Sequence, residues 1–367
     1  MDYNTKLKHH YQPAKGWIND PNGLVYFKGY YHLFYQHSPN YETPWKEPMH
    51  WGHARTKDFC SFEELDIALY PDKDYDNGGC WSGTATVKDD TLYLIYTSIY
   101  TPEGKEEKIQ KVCVASSKDG INFEKYEGNP VIETYPEDGC PEFRDPAVTY
   151  IDGKYYLVMA TGCPEKQEAR LLIYESDNLT DWKYNGIMHS WDNSKYAECP
   201  SFMETKQGFL LSSSVLETSG WPFFTVMYGN FENGIYTPTI SACPDKGPDQ
   251  YAGQIFLDPK GRSILITWIP GWSYNGFAET DIGCLSVPRE IFVKDEKVHC
   301  YPIEEVRHLL KDSDPALKRT EDGFIVERNK REPLVYKGKI DELKILRDEY
   351  IIEIFINGGE ETYSALL

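Results

Sequence analysis

The chain has 367 residues, 40% hydrophobic and 14% aromatic, with a formal net charge of −20 at pH 7. That length suits one large closed β-architecture, or a large domain with a small one, and the charge disfavours nucleic acid and anionic membrane as partners. No stretch approaches the length of a membrane span, the N-terminus lacks the apolar core of an export signal, and nine cysteines occur without a CxxC pair, so a reducing, cytoplasmic setting is expected, without disulfides or zinc.

The first stretch, "GWINDPNGL" at 16 to 24, holds the turn sequence Asp-Pro-Asn-Gly and is followed at once by a strand-like "LVYF". Pro21 fixes φ and Gly23 admits φ > 0, which are turn properties. A plain solvent turn needs no Trp17 beside it, so Asp20 reads as placed. The strand continues into "LVYFKGYYHLFYQ", an apolar strand, a polar turn and a second strand with alternating aromatics. The same grammar recurs in "TATVKDDTLYLIYTS", "AVTYIDGKYYLVMAT", "SFMETKQGFLLSSS" and "QIFLDPKGRSILITWI", each a β-hairpin by pattern. Aligned on one leucine they give Leu33, Leu94, Leu157, Leu210 and Leu265, at spacings of 61, 63, 53 and 55 residues. Units of that size hold about four strands each, as a propeller blade requires. The prediction is an all-β chain, a five-bladed β-propeller over 1–295 followed by a small, truncated β-sandwich-like domain over 296–367.

Twelve or thirteen residues before each aligned leucine stand Asp20, Ser82, Asp145, Glu198 and Gly253. Innermost strands of a propeller line one channel, so equivalent positions converge on its axis. An isolated Asp-Pro is a common turn; three carboxylates in repeat phase point to chemistry. With Trp17, Trp45, Trp51, Trp81 and Tyr251 nearby, the opening suits a sugar. Cleaving an acetal needs one acid to protonate the leaving oxygen and a carboxylate to meet the oxocarbenium-like centre. Crowding and burial raise the proton affinity of one such group while the others stay ionised. Arg144 either holds Asp145 as an anion or is a surface arginine.

The ordered strings "WINDPNG", "HLFYQ", "MHWGHA", "WSGTA", "FRDP", "ECP" and "DQYAGQ", with "SVPREIFV" after them, resemble glycoside hydrolase family 32, the β-fructofuranosidases, invertases, sucrose-6-phosphate hydrolases and fructanases. The likeness runs from His10 to about Val293. It implies retaining hydrolysis of terminal β-D-fructofuranosyl residues from sucrose or short fructo-oligosaccharides, with no cofactor or metal. It also implies Asp20 as nucleophile, Glu198 as general acid/base and Asp145 as transition-state stabiliser. Asn19, Gln36, Trp45, Trp81, Ser82, Arg144 and Tyr251 would line the fructose subsite. Alternatives are a fructan hydrolase or transfructosylase, an arabinanase-like glycosidase and, from another class, a fructoside-binding protein that has lost activity. Ser201, and Lys46-Glu47 beside Trp45, depart from the family pattern and are expected at the rim, where they bear on the leaving group. A pocket for phosphorylated sucrose would have to come from Lys46, Arg55 or Lys57.

The tail departs furthest. Family members carry a full two-sheet sandwich, whereas about 70 residues remain here. Ile303, Val306, Leu309 and Leu310 at helical spacing predict a short helix over 303–311. About five strands follow, too few for a sandwich with its own core. Such a remnant must pack on the propeller or be covered by another subunit, and a homo-oligomer through this domain is expected.

Overall fold

The computed structural model describes residues 6–41, 46–105, 107–218, 220, 223–274 and 283–367. Four consecutive antiparallel strands make each of the first four sheets. These are β1 (Trp17–Phe27), β2 (Tyr30–Ser38), β3 (His50–Thr56) and β4 (Phe62–Leu69); β5 (Gly79–Lys88), β6 (Thr91–Tyr100), β7 (Ile109–Ser117) and β8 (Glu124–Lys125); β9 (Arg144–Ile151), β10 (Lys154–Cys163), β11 (Glu168–Ser176) and β12 (Lys183–Asp192); β13 (Ser194–Thr205), β14 (Gly208–Glu217), β15 (Phe223–Glu232) and β16 (Ile235–Ala242). The fifth sheet runs β17 (Tyr251–Leu257), β18 (Ser263–Ile269), β20 (Arg289–Lys294) and β21 (Lys297–Pro302), with β19 (Cys284–Leu285) paired to β18. The first strands of successive sheets lie against one another, and β17 closes the ring on β1.

Local chemistry makes these hairpins. Lys28-Gly29, Asp89-Asp90, Asp152-Gly153 and Asn233-Gly234 each place both central residues at positive φ, the two-residue turn whose twist matches the strands it joins. All five aligned leucines are buried on the second strand of their blade. Five apolar clusters fill the five spaces between blades. Phe34 and Trp51 pack with Leu94, Ile95 with Leu157, Val158 with Leu211, Leu210 with Leu265, and Ile264 with Leu24.

The β20–β21 hairpin crosses position 295, so the expected boundary cuts a paired element and the fifth sheet runs on to Pro302. The expected helix is a 3-10 turn, Glu304–Leu309. Beyond it lie six strands in two three-stranded sheets, not five strands. They are β22 (Leu317–Thr320), β23 (Gly323–Val326) and β24 (Leu334–Lys337), then β25 (Leu343–Asp348), β26 (Ile351–Ile356) and β27 (Glu361–Leu366). These sheets share a core of their own, Phe324, Val326 and Tyr336 against Ile345, Ile354 and Tyr363, which overturns the expectation of a remnant without one. The central strand β26 is buried at all six positions because both faces are covered. Ile352, Ile354 and Ile356 face the lobe core, whereas Ile351 and Phe355 pack on the propeller side with Ile269 and Val287. The lobe is thus covered by this chain's own propeller.

Between the two faces lies a buried ionic seam. Arg289 on β20 bonds Asp245 and Ser364 and pairs with Glu353 at 3.0 Å. His10 bridges Asp348 at 2.9 Å and Glu353 at 3.0 Å. The backbone N–H groups of Lys8, His9 and His10 donate to the Asp348 carboxylate. The segment before the first blade therefore straps the lobe in place.

Candidate active site

Each innermost strand carries an irregularity at the same phase. The register shifts between Ile18 and Pro21 and again between Asn22 and Val25 on β1, between Trp81 and Gly83 on β5, opposite Val158–Ala160 on β9, between Glu198 and Ser201 on β13, and between Tyr251 and Gln254 on β17. A bulge re-aims side chains and bends the strand. Pro21, Pro146 and Pro200 sit in three of these bulges, where a missing N–H costs no ladder bond. Asp145, Cys199 and Ala252 have φ of 60°, 47° and 53°, a region side chains other than glycine seldom occupy and which marks functional sites when the surroundings enforce it.

The bulges bring the three acids together around Cys199. Its Sγ lies 3.5 Å from both Asp20 Oδ2 and Asp145 Oδ2, and its N–H donates to Asp145 Oδ2 at 2.9 Å. Ser82 Oγ donates to Asp20 Oδ2 at 2.8 Å, and Asn19 Nδ2 donates to Oδ1 at 3.1 Å. Asn19 is itself held by Trp17 Nε1 at 3.0 Å. Glu198 Oε1 accepts from Arg144 at 2.7 Å, and its Oε2 accepts from the Tyr251 hydroxyl. Arg144 is buried, stacks on Tyr196 and also pairs with Glu142. Its direct carboxylate partners are therefore Glu198 and Glu142, not its neighbour Asp145, and it is not a surface residue.

Burial raises the Asp145 carboxyl to about 7; Arg144 opposes that rise, while the charges of Glu198 and Asp20 add to it. Burial also raises Asp20, opposed by the Ser82 and Asn19 hydrogen bonds and reinforced by Glu198. Around Arg144 the carboxylates outweigh the cost of burying its charge and keep it protonated. Burial and then Glu198 push the Tyr251 hydroxyl well up, so it stays a donor. The site holds an ionisable carboxyl with two donors on it, a second carboxyl clamped by a cation and a phenol, and a third acid that burial brings to about 7. Such a set can attack, shuttle a proton and bind hydroxyls.

Other expected residues fall differently. Trp81 is half-buried against Met49, Tyr251 and Cys199. Trp51 belongs to the core between the first two blades and reaches the site only by donating to Trp81 O at 2.9 Å. Trp17 is likewise fully buried, and Trp45 lies outside the described residues. Gln36 stands behind the opening, donating to Cys80 O at 3.1 Å. Ser201 is not at the rim; it is buried and accepts from Ile255 N–H at 2.9 Å. Arg55 and Lys57 stack on Tyr30 at the opposite end of the first blade, so neither reaches the opening.

Sequence reasoning missed Asn22, Thr97, Ser213 and Glu142. With its amide oriented to satisfy both ends, Asn22 donates to Ser82 Oγ at 3.2 Å and accepts from Gln36 Nε2 at 2.9 Å. Thr97 donates to Ser82 O at 3.0 Å and accepts from Asp145 N–H at 2.8 Å, and Ser213 donates to Glu198 O at 2.8 Å. A signal was present. Gln36, Thr97 and Ser213 each stand three residues after the aligned leucine, on the second strand behind the bulge they support.

A five-bladed ring with three carboxylates at one mouth of its axis is the framework of a glycosidase. Residues 10–302 match the family model described as the glycosyl hydrolases family 32 N-terminal domain, and the chain belongs to glycoside hydrolase family 32. A raffinose invertase of Escherichia coli is 35% identical over 322 residues, covering 83% of this chain and 66% of that protein. A sucrose-6-phosphate hydrolase of Bacillus subtilis is 30% identical over 431 aligned positions, covering 97% of this chain and 87% of that protein. Among solved structures, a Bombyx mori GH32 beta-fructofuranosidase superposes with a TM-score of 0.85 at 25% identity, covering 99% of this chain and 89% of that one; a variant of it is solved in complex with sucrose.

Proposed function

We propose that the chain hydrolyses terminal β-fructosides, sucrose or short fructo-oligosaccharides, with retention. The observation that carries this is the convergence of Asp20, Asp145 and Glu198 on one mouth of the propeller of a family 32 chain. In this reading Asp20, kept anionic by Ser82 and Asn19, attacks the anomeric carbon. Glu198 protonates the departing oxygen, then takes the proton of the water that releases fructose. Asp145, the most buried of the three, accepts fructose hydroxyls.

The test is fructose release from sucrose, kestose, inulin and levan. Asp20→Ala should abolish it, and Glu198→Ala should cut turnover by about 10²-fold or more, with partial rescue by azide. Undiminished turnover in either variant refutes the roles. A cytoplasmic setting is supported by free thiols such as Cys80, Cys113, Cys140 and Cys199. Assembly through the outer sheet, where Val335 is 48% exposed, is a further proposal that a concentration-independent monomer mass would overturn.

A further inference from the structure

Two residues beside the opening are absent from the scheme above. Lys108, which leads into β7, places its ammonium 5.4 Å from the Trp81 ring centroid and engages both oxygens of Glu47, at 2.7 and 2.6 Å. Glu47 immediately precedes Pro48-Met49. Met49 packs with Trp81, Tyr251 and Cys199, and its carbonyl accepts from Cys80 N–H at 2.9 Å. The pair thus joins the first blade to the second at the wall that carries Ser82 and Asp20. Both side chains keep part of their surface open, 23% for Glu47 and 39% for Lys108.

Resting on the fructosidase reading, we infer that the Glu47–Lys108 pair receives the leaving-group sugar and selects uncharged over phosphorylated leaving groups. The Glu47 carboxylate, held by the lysine whose ammonium lies over the Trp81 ring, suits a neutral sugar, because it offers an acceptor for hydroxyls with its charge already matched. A phosphate needs cations whose charge is not already matched, and prefers the fork of an arginine. Lys108 is matched by Glu47, and Arg144 by Glu142 and Glu198. Lys46, the other cation of this rim, stacks on Tyr41 with its ammonium 4.3 Å from the ring centroid. A phosphorylated sugar seated here would have to displace Glu47 or lie against it.

The experiment compares kcat/KM for sucrose and sucrose-6-phosphate in the unaltered protein, in Glu47→Gln and in Glu47→Gln/Lys108→Gln. The unaltered protein should prefer sucrose by about tenfold or more at low salt, and the preference should shrink at high ionic strength, where partly exposed charges are screened. Glu47→Gln should shift the ratio toward the phosphorylated sugar by about tenfold, and removing Lys108 as well should reverse most of that gain. An unaltered protein that favours sucrose-6-phosphate, or a ratio that Glu47→Gln leaves in place, overturns the inference while the fructosidase reading stands. Release from neither sugar by the folded, unaltered protein also overturns the inference, and the fructosidase reading falls with it where kestose, inulin and levan release no fructose either.

Discussion

His10 offers a test of what holds the lobe to the propeller. Its ring is fully buried between Asp348 and Glu353. Burial alone would discharge it, but the hydrogen bonds and charges of the two carboxylates outweigh that and raise it from its ordinary 6.5 to about 9. A raised histidine stabilises the fold fully below its unfolded value of about 6.5, and the contribution is lost as pH climbs through about 9. At about 1.4 kcal/mol per unit, the shift corresponds to about 3 kcal/mol. The carboxylates have the opposite sign. Asp348 and Glu353 are both lowered, so their contribution is present above about pH 4 and fails in acid. Urea unfolding of the native protein and of His10→Gln at about pH 6 and about pH 10 isolates the histidine, because other titrating groups are common to both proteins. The gap between them should be largest at the lower pH and narrow by about 3 kcal/mol at the higher. A gap that stays constant within about 1 kcal/mol would show that His10 is buried neutral, donating to one of its two carboxylates beside the backbone donors to Asp348.

Three further outcomes follow from the same geometry. Arg289→Ala should cost about 3–5 kcal/mol in unfolding, since it leaves Asp245 buried without its cation and Glu353 with His10 alone; a loss under about 1 kcal/mol would mean that water replaces it. Ser82→Ala removes a donor that lowers Asp20, so the acid limb of the kcat/KM profile should move to higher pH, with a loss of about tenfold at neutral pH; an unmoved limb would detach that limb from Asp20. In Gly83→Ala the added methyl would meet Ile95 O at 2.1 Å, a backbone atom that cannot turn aside. Thermal unfolding should show a destabilisation of about 2 kcal/mol or more, with activity falling alongside as Ser82 is pushed from Asp20.

How much of this was legible in the sequence depends on which interactions are periodic. The leucine phase is visible because every blade must fill the same space between sheets, and that requirement rewrites itself every 53 to 63 residues. The acids were legible for the same reason, since they occupy one phase of that repeat. What escaped was pairwise. Nothing in "PEFRDP" says that Arg144 turns to Glu198, 54 residues away, rather than to the aspartate beside it. Trp51 misled because an aromatic in a mouth-side motif reads as a sugar platform, whereas alternation sends it into the space between blades. Ser201 misled likewise, since the bulge that presents Glu198 turns the next residues away from the rim.

The tail was misjudged for a physical reason that also explains how so small a lobe persists. Counting strands against the area that a free-standing sandwich needs gives too little core, but β26 does not belong to a free-standing sandwich. "IIEIFI" lacks the alternation of a half-solvated strand, and its one charged residue, Glu353, is where the second buried face announces itself. The alignment with the Bacillus subtilis relative runs over 431 positions against a chain of 367 residues, so at least 64 positions of that relative face gaps, while 97% of this chain is aligned. Those gaps lie inside the aligned span, and the strands that meet the propeller are present in this chain. The docking face is what so small a lobe cannot do without, because Arg289 and His10 would otherwise be buried charges without partners, and loss of that face would damage the propeller as well as the lobe.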